Sequence, residues 1–165
     1  MLSGEFSRKL SGLSGHSTVG TLQRLTELFI DDQTACYLEV GVFQGLTLLS
    51  VANLFRFFPC YGIDNFTSLD PQNKNLNIVQ DLLSEYANNS AILINQDFEA
   101  ALKSLPEHIG GKKIGVYFVD GPHDYRSQLV GLILAIPHLH RRAIILIDDA
   151  NYHFVRQATN DFLDA

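Results

Sequence analysis

The chain has 165 residues, 46% of them hydrophobic and 10% aromatic, with a formal net charge of −6. That composition excludes a disordered chain and gives room for one domain with one sizeable core. No run of Lys or Arg exceeds the pairs Lys112-Lys113 and Arg141-Arg142, so the basic footprint of a nucleic-acid or anionic-membrane binder is missing.

Residues 1–18 carry no apolar segment of signal-peptide type, and nowhere does the chain approach the ~20 apolar residues of a membrane span. The expectation is a cytoplasmic protein with neither a nucleic-acid nor a membrane partner. The opening stretch is rich in Ser and Gly through Ser11-Gly12-Leu13-Ser14-Gly15, which predicts a flexible segment over 1–18 ahead of a domain over 19–165. Ser17 or Thr18 can cap a first helix, in which Val19, Leu22, Leu25, Leu28 and Phe29 recur at helical spacing. After it, short apolar runs alternate with helical patterns. Strands are predicted over Ala35–Val40, Tyr61–Asp64, Ala91–Ile94, Ile114–Val119 and Ala143–Ile147. Helices are predicted from Leu46 to about Phe58, from the end of the turn-rich Asn65–Asn75 to about Ala87, over Phe98–Leu105, from Tyr125 to about Leu139, and from Tyr152 onward. Cys36 and Cys60 each fall near the start of a buried strand and show no CxxC spacing, so they read as reduced apolar residues.

Five apolar runs separated by helices imply an α/β fold, a doubly wound parallel sheet with helices on both faces. Ligands of such sheets bind beyond the carboxyl ends of the strands where the strand order reverses, here beside strand 1. The strand ends are polar: Gly41 with Glu39 before it, Asp64, Gln96-Asp97, Asp120-Gly121 and Asp148-Asp149. A single Asp in such a position is commonly a turn or cap residue; carboxylates at four successive strand ends point to a shared site.

Asp64 lies 23 residues beyond Gly41, near the spacing of ~20 at which an acidic residue accepts hydrogen bonds from a ribose. The turn itself, Gly41-Val42-Phe43-Gln44-Gly45, is GxxxG rather than GxGxxG, and the bulky Phe43 stands where a dinucleotide site needs a glycine. A ligand with a nucleoside and no pyrophosphate fits this turn better, which argues against a nicotinamide dehydrogenase.

Glu39-Val40-Gly41-Val42-Phe43-Gln44-Gly45-Leu46-Thr47, Gly62-Ile63-Asp64, Asn95-Gln96-Asp97, Val119-Asp120-Gly121-Pro122-His123-Asp124-Tyr125 and Ile147-Asp148-Asp149 together resemble a class I S-adenosylmethionine-dependent methyltransferase. The resemblance is to methyltransferase family 24, related to the macrocin-type and catechol-type O-methyltransferases, and runs from about Ala35 to the end of the chain. It implies S-adenosyl-L-methionine as cofactor, with the methionine part along Glu39, Gly41 and Gly45 beside Phe43, the ribose on Asp64, and the adenine near Asp97 and Phe98; Asp120 also faces the cofactor. Asp97 reads equally as the cap of the helix from Phe98. In metal-dependent relatives an Asp after strand 4 and an acidic pair after strand 5 hold a divalent cation, which implies Mg²⁺ or a similar ion on Asp120, Asp148 and Asp149. Two adjacent strand residues can share an ion only if the strand has already turned there.

The reaction implied is methylation of a small hydroxylated molecule, with Asp120 in the catalytic set and His123 as general base, since an imidazole titrates in the useful range. His123 reads alternatively as an ordering residue of the turn that Asp124 caps. In macrocin-type relatives an Asp follows the strand-4 Asp by two residues; Pro122 stands there in this chain. His138 and His140 read as the end of a helix, where an imidazolium suits the dipole, His153 as the start of the last helix, and His16 and His108 as loop residues. Tyr125 and Tyr152 read as pocket lining or packing. The fold family has seven strands, and Ala165 follows the fifth. The two missing strands imply a fragment of a longer protein, a strand-5 edge covered by a partner such as a second copy of the chain, or a reduced domain. They also leave a second reading, a cofactor-binding module without catalysis that serves in assembly or regulation.

Overall fold

A computed structural model describes residues 8–86 and 90–165. Five strands, β1 (Ala35–Val40), β2 (Cys60–Ile63), β3 (Ala91–Ile94), β4 (Lys113–Val119) and β5 (Leu139–Ile147), form one sheet in the order β3-β2-β1-β4-β5. Every pairing is parallel. The order reverses between β1 and β4, so the switch point lies beside β1 as the strand pattern predicts. The helices are α1 (His16–Glu27), α2 (Leu46–Leu54), α3 (Asn75–Tyr86), α4 (Phe98–Lys103), α5 (Leu105–Ile109), α6 (Tyr125–Ala135) and α7 (His153–Asp164).

Because both faces are covered, β1 is buried along its whole length and its two sides feed two cores. Ala35 and Tyr37 pack with Leu22 of α1, Leu48 and Val51 of α2, and Val79 of α3. Cys36, Leu38 and Val40 pack with Leu102 of α4, Leu105 and Ile109 of α5, and Leu132 and Ala135 of α6. Both thiols, Cys36 and Cys60, are buried and free, and burial pushes the Cys36 thiol up to about 12. No helix among the described residues is long and apolar enough to cross a membrane.

Several local expectations are corrected. The cap of α1 is Gly15 rather than Ser17 or Thr18, and the helix takes in His16; Leu28, just beyond it, faces solvent although it shares the apolar spacing. The helix after β3 breaks at Ser104 into α4 and α5, and His108 is helical. Pro106 sits in the first turn of α5 and has no N–H for the Leu102 carbonyl. Pro137 likewise closes α6 early, within a 3₁₀ turn over Ile136–His138. As a result β5 begins at Leu139, four residues before its predicted start. His140 is therefore a strand residue: its Nε2 lies 3.3 Å from Asp32 Oδ2, and its Nδ1 accepts the Arg142 backbone N–H.

The N-terminal segment reaches the site end of the sheet. Ser11 bridges to Gly45, and a Cβ on Gly12 would stand 2.5 Å from the Leu46 Cβ. The tightest approach is at Gly41, where an added Cβ would lie 1.8 Å from the Asp120 carbonyl oxygen and φ is +94°. Gly110 has a positive φ of +59° but open space around it. Gly41→Ala should thus cost roughly 3 kcal/mol or more through backbone collision, and Gly110→Ala about 1 kcal/mol through conformation alone. Urea denaturation of the two variants checks the difference.

Candidate active site

Leaving β1, the chain makes a turn with positive φ at Gly41, Phe43 and Gly45 (+94°, +52° and +85°) before entering α2. The Gly41 N–H donates to the Ile63 carbonyl at 2.9 Å and the Asp120 N–H to the Val40 carbonyl at 2.9 Å, so the ends of β1, β2 and β4 are tied together. The left-handed conformation of Phe43 is held by Asp64. Its Oδ2 accepts the backbone N–H of Val42 (2.8 Å) and of Phe43 (2.9 Å), and its Oδ1 accepts that of Phe66 (2.7 Å). Sequence spacing assigns Asp64 to a ribose; in the folded chain its carboxylate is also the strut of the glycine turn.

A cavity of about 740 Å³ opens beyond the strand ends, walled by the turn, the Asp64 loop, the start of α4, the Asp120–His123 segment and Asp148-Asp149. Gly41, Phe43, Asp64, Asp97, Phe98, Asp120, His123, Asp148 and Asp149 all line it. Glu39 and Gly45 do not. Glu39 is fully buried behind the wall, where Tyr37 Oη donates to its Oε2 at 2.6 Å and Thr47 Oγ1 approaches its Oε1 at 3.1 Å. Thr47 is the residue of this pair that faces the cavity. Asp97 is the N-cap of α4, with Oδ1 accepting from Glu99 (3.0 Å) and Ala100 (3.4 Å), which is the cap reading of this residue, and it lines the cavity as well. Tyr125, His153 and Tyr152 are not part of the wall; Tyr125 Oη donates to Asp161 Oδ2 at 2.8 Å, joining α6 to α7.

The acidic residues gather at the ends of β4 and β5, next to the Gly41 turn. Asp149 has φ +51°, so β5 has already turned, and its N–H donates to Asp148 Oδ1 at 3.0 Å. The geometric condition for the two aspartates to face one crevice is met. His123 Nε2 lies 3.3 Å from Asp149 Oδ2 and 3.7 Å from Asp120 Oδ1, and the ring stacks on Tyr152 at 5.5 Å between centroids. Burial, followed by repulsion from Asp148 and Asp149, pushes the Asp120 carboxyl up to about 7.

The expected divalent ion does not fit this arrangement. Among the described residues no group of three or more His, Cys, Asp or Glu side chains is placed to hold a metal ion. The His123 ring nitrogen stands against Asp120 and Asp149, and Asp148 Oδ1 is already engaged by a backbone N–H. The crowding of carboxylates that a cation would relieve shows instead as a raised proton affinity of Asp120.

Residues 38–150 match the profile of a methyltransferase-domain family, the one numbered 24. The chain belongs to this class I S-adenosylmethionine-dependent methyltransferase family. No curated protein matches it in sequence. Among solved structures, it is similar to the calicheamicin methyltransferase CalS11, at 14% identity and a TM-score of 0.73 over 89% of this chain and 70% of that one. It is also similar to a Klebsiella pneumoniae putative O-methyltransferase (13%, TM-score 0.72, 99% and 78%). A third is a Bacillus cereus O-methyltransferase solved in complex with SAH (12%, TM-score 0.68, 96% and 72%). At these identities the structural likeness establishes the Rossmann-like methyltransferase fold, which here has five strands.

Three parts of the wall escape a motif reading: the Gly12–Gly15 segment, the Thr67–Leu69 loop, and the Arg126–Glu99 ion pair (2.6 Å) at the rim. Only the first leaves a trace in sequence, in the glycine at position 12 that Leu46 requires.

Asp120 binds its proton more tightly in the fold than an exposed carboxyl would. Its stabilising contribution is therefore complete below its ordinary pKa of 3.8 and is lost as pH rises through about 7. The thermal midpoint of the protein should fall between pH 5 and pH 8, and Asp120→Asn should fall less over the same interval. Melting curves across that range compare the two.

Proposed function

We propose that this cavity binds S-adenosyl-L-methionine and that the protein transfers a methyl group to a hydroxyl of a small molecule. One observation carries the reading: an acid and imidazole cluster, Asp120, His123, Asp148 and Asp149, lines the same cavity as a glycine turn braced by Asp64. Binding alone has no use for the first, and a pyrophosphate ligand would not suit Phe43 in the second. The residues fit the cofactor in two respects. The bare α-carbon of Gly41 keeps the floor open where any side chain would collide with Asp120, and an anionic wall favours a ligand that carries a sulfonium and an ammonium.

In this reading Asp64, Asp97 and Phe98 hold the nucleoside, while Gly41, Phe43 and Thr47 face the remainder. When bound, the cofactor supplies an electrophilic methyl group on a sulfonium. The chain's part is to align and deprotonate the acceptor. His123 takes the hydroxyl proton. Its Nε2 faces Asp149 and Asp120, so with Nε2–H donating to Asp149 the lone pair on Nδ1 is the basic site, and Asp149 stabilises the imidazolium that forms. Pro122 leaves no carboxylate at the position two residues after Asp120, so His123 is the base available on this loop.

His123→Ala should lower turnover by roughly 10²- to 10⁴-fold and leave the cofactor dissociation constant within a few-fold of wild type. Release of S-adenosylhomocysteine with a panel of hydroxylated acceptors, alongside calorimetric titration of the cofactor, checks this; equal loss in both would remove His123 from the role of base.

A further inference from the structure

Glu39 is the most deeply placed acid of the described residues, with no exposed surface. Among the described residues, the groups that act on it offer no positive charge. Tyr37 on its own strand and Thr47 on α2 contact it through hydroxyls, Cys60 of β2 presents a thiol, and the nearest ionisable groups at the ends of β2 and β4 are the acids Asp64 and Asp120. Gly62, across the β1–β2 pair, leaves room for it and adds no polar atom. An ionised carboxylate in such a place is strongly disfavoured, whereas the neutral acid satisfies both hydroxyl neighbours. Consistent with this, burial raises the carboxyl to about 8 even though the bonds from Tyr37 and Thr47 pull it down.

Thr47 connects this buried acid to the cavity. It is 5% exposed, lines the cavity wall, and has Oγ1 3.1 Å from Glu39 Oε1. A hydroxyl has one hydrogen, so the two charge states of Glu39 present different atoms to a ligand. With Glu39 protonated, its O–H donates to Thr47 Oγ1, and the threonine hydrogen is free to point into the cavity. With Glu39 ionised, Thr47 donates inward, and its lone pair faces the cavity.

We propose that Glu39 and Thr47 form a proton-coupled contact for the cofactor, in which Glu39 gives up its proton to solvent when a cationic group of the ligand is brought to Thr47. This rests on the reading of the cavity as an S-adenosylmethionine site. Glu39 acts as a positioning residue: it sets which end of the Thr47 hydroxyl the ligand meets, and its ionised form compensates a cation that bulk water no longer screens. Proton release on binding means that affinity rises with pH.

The test uses S-adenosylhomocysteine as the probe, titrated calorimetrically into the protein at pH 7 in buffers of different ionisation enthalpy, which counts protons released. Wild type should release close to one proton more than Glu39→Gln. Its affinity should rise by up to about tenfold per pH unit between pH 6 and 8, while that of Glu39→Gln stays flatter. Subtraction removes protons contributed by the ligand's own amine and by Asp120, which the two proteins share. Thr47→Val, which keeps the shape of the side chain and loses the hydroxyl, should lose the same release and provides the measurement if Glu39→Gln does not fold. Binding with equal proton counts in wild type and both variants overturns this inference alone; failure of the wild type to bind S-adenosylhomocysteine at any pH overturns the cofactor reading beneath it.

Discussion

The close approach of Gly41 to the Asp120 carbonyl is the constraint from which the rest of the site follows. Adjacent parallel strands separate at their carboxyl ends only when their connections leave toward opposite faces, and this happens between β1 and β4, since α2 packs on one face and α6 on the other. The crevice so opened has a floor made of backbone. Hydrogen bonds from Gly41 to Ile63 and from Asp120 to Val40 fix that floor, and no side chain fits on Gly41 without displacing it. Asp64 then reaches back from β2 to fasten the turn above it, in a conformation that Phe43 would not adopt unaided.

The electrostatics divide the acids of the site into two groups. Asp64, Asp97 and Glu99 are occupied, by backbone N–H groups in the first two cases and by Arg126 in the third. Among the described residues, the carboxylates of Asp120, Asp148 and Asp149 have only one another, an imidazole and one backbone N–H. Asp120 therefore holds its proton more firmly than an ordinary carboxylate, and the three acids together attract a cation locally more than the net charge of the chain alone would suggest. A cationic cofactor and a hydroxyl acceptor that must lose a proton both suit such an environment. A polyanionic ligand does not.

The fold was legible because alternating apolar runs and helical patterns constrain a doubly wound sheet, and four of the five strands fall within a residue of where the pattern puts them. The exception, β5, starts early because Pro137 stops α6 and frees Leu139 to pair with Ile114; a proline late in a helical pattern gives no measure of how soon the next strand begins. In the site, the lining residues at strand ends were readable from topology. What the sequence could not convey is that a residue may belong to the motif and yet stand behind the wall, as Glu39 does, or serve the scaffold as well as the cavity, as Asp64 does. Those roles depend on which backbone N–H groups and hydroxyls come within bonding distance, which is a matter of tertiary packing. The absence of a metal-holding group among the described residues has the same origin: three aspartates at two strand ends predict proximity, while the His123 ring and the Asp149 N–H decide where their oxygens point.

The central claim is that this crevice is a nucleoside site shaped for a sulfonium cofactor and not for a dinucleotide. Calorimetric titration of the wild-type protein with S-adenosylmethionine and, separately, with NAD tests it most directly. Saturable binding of S-adenosylmethionine with no heat from NAD is the predicted result; binding of NAD, or of neither nucleoside, would contradict the account.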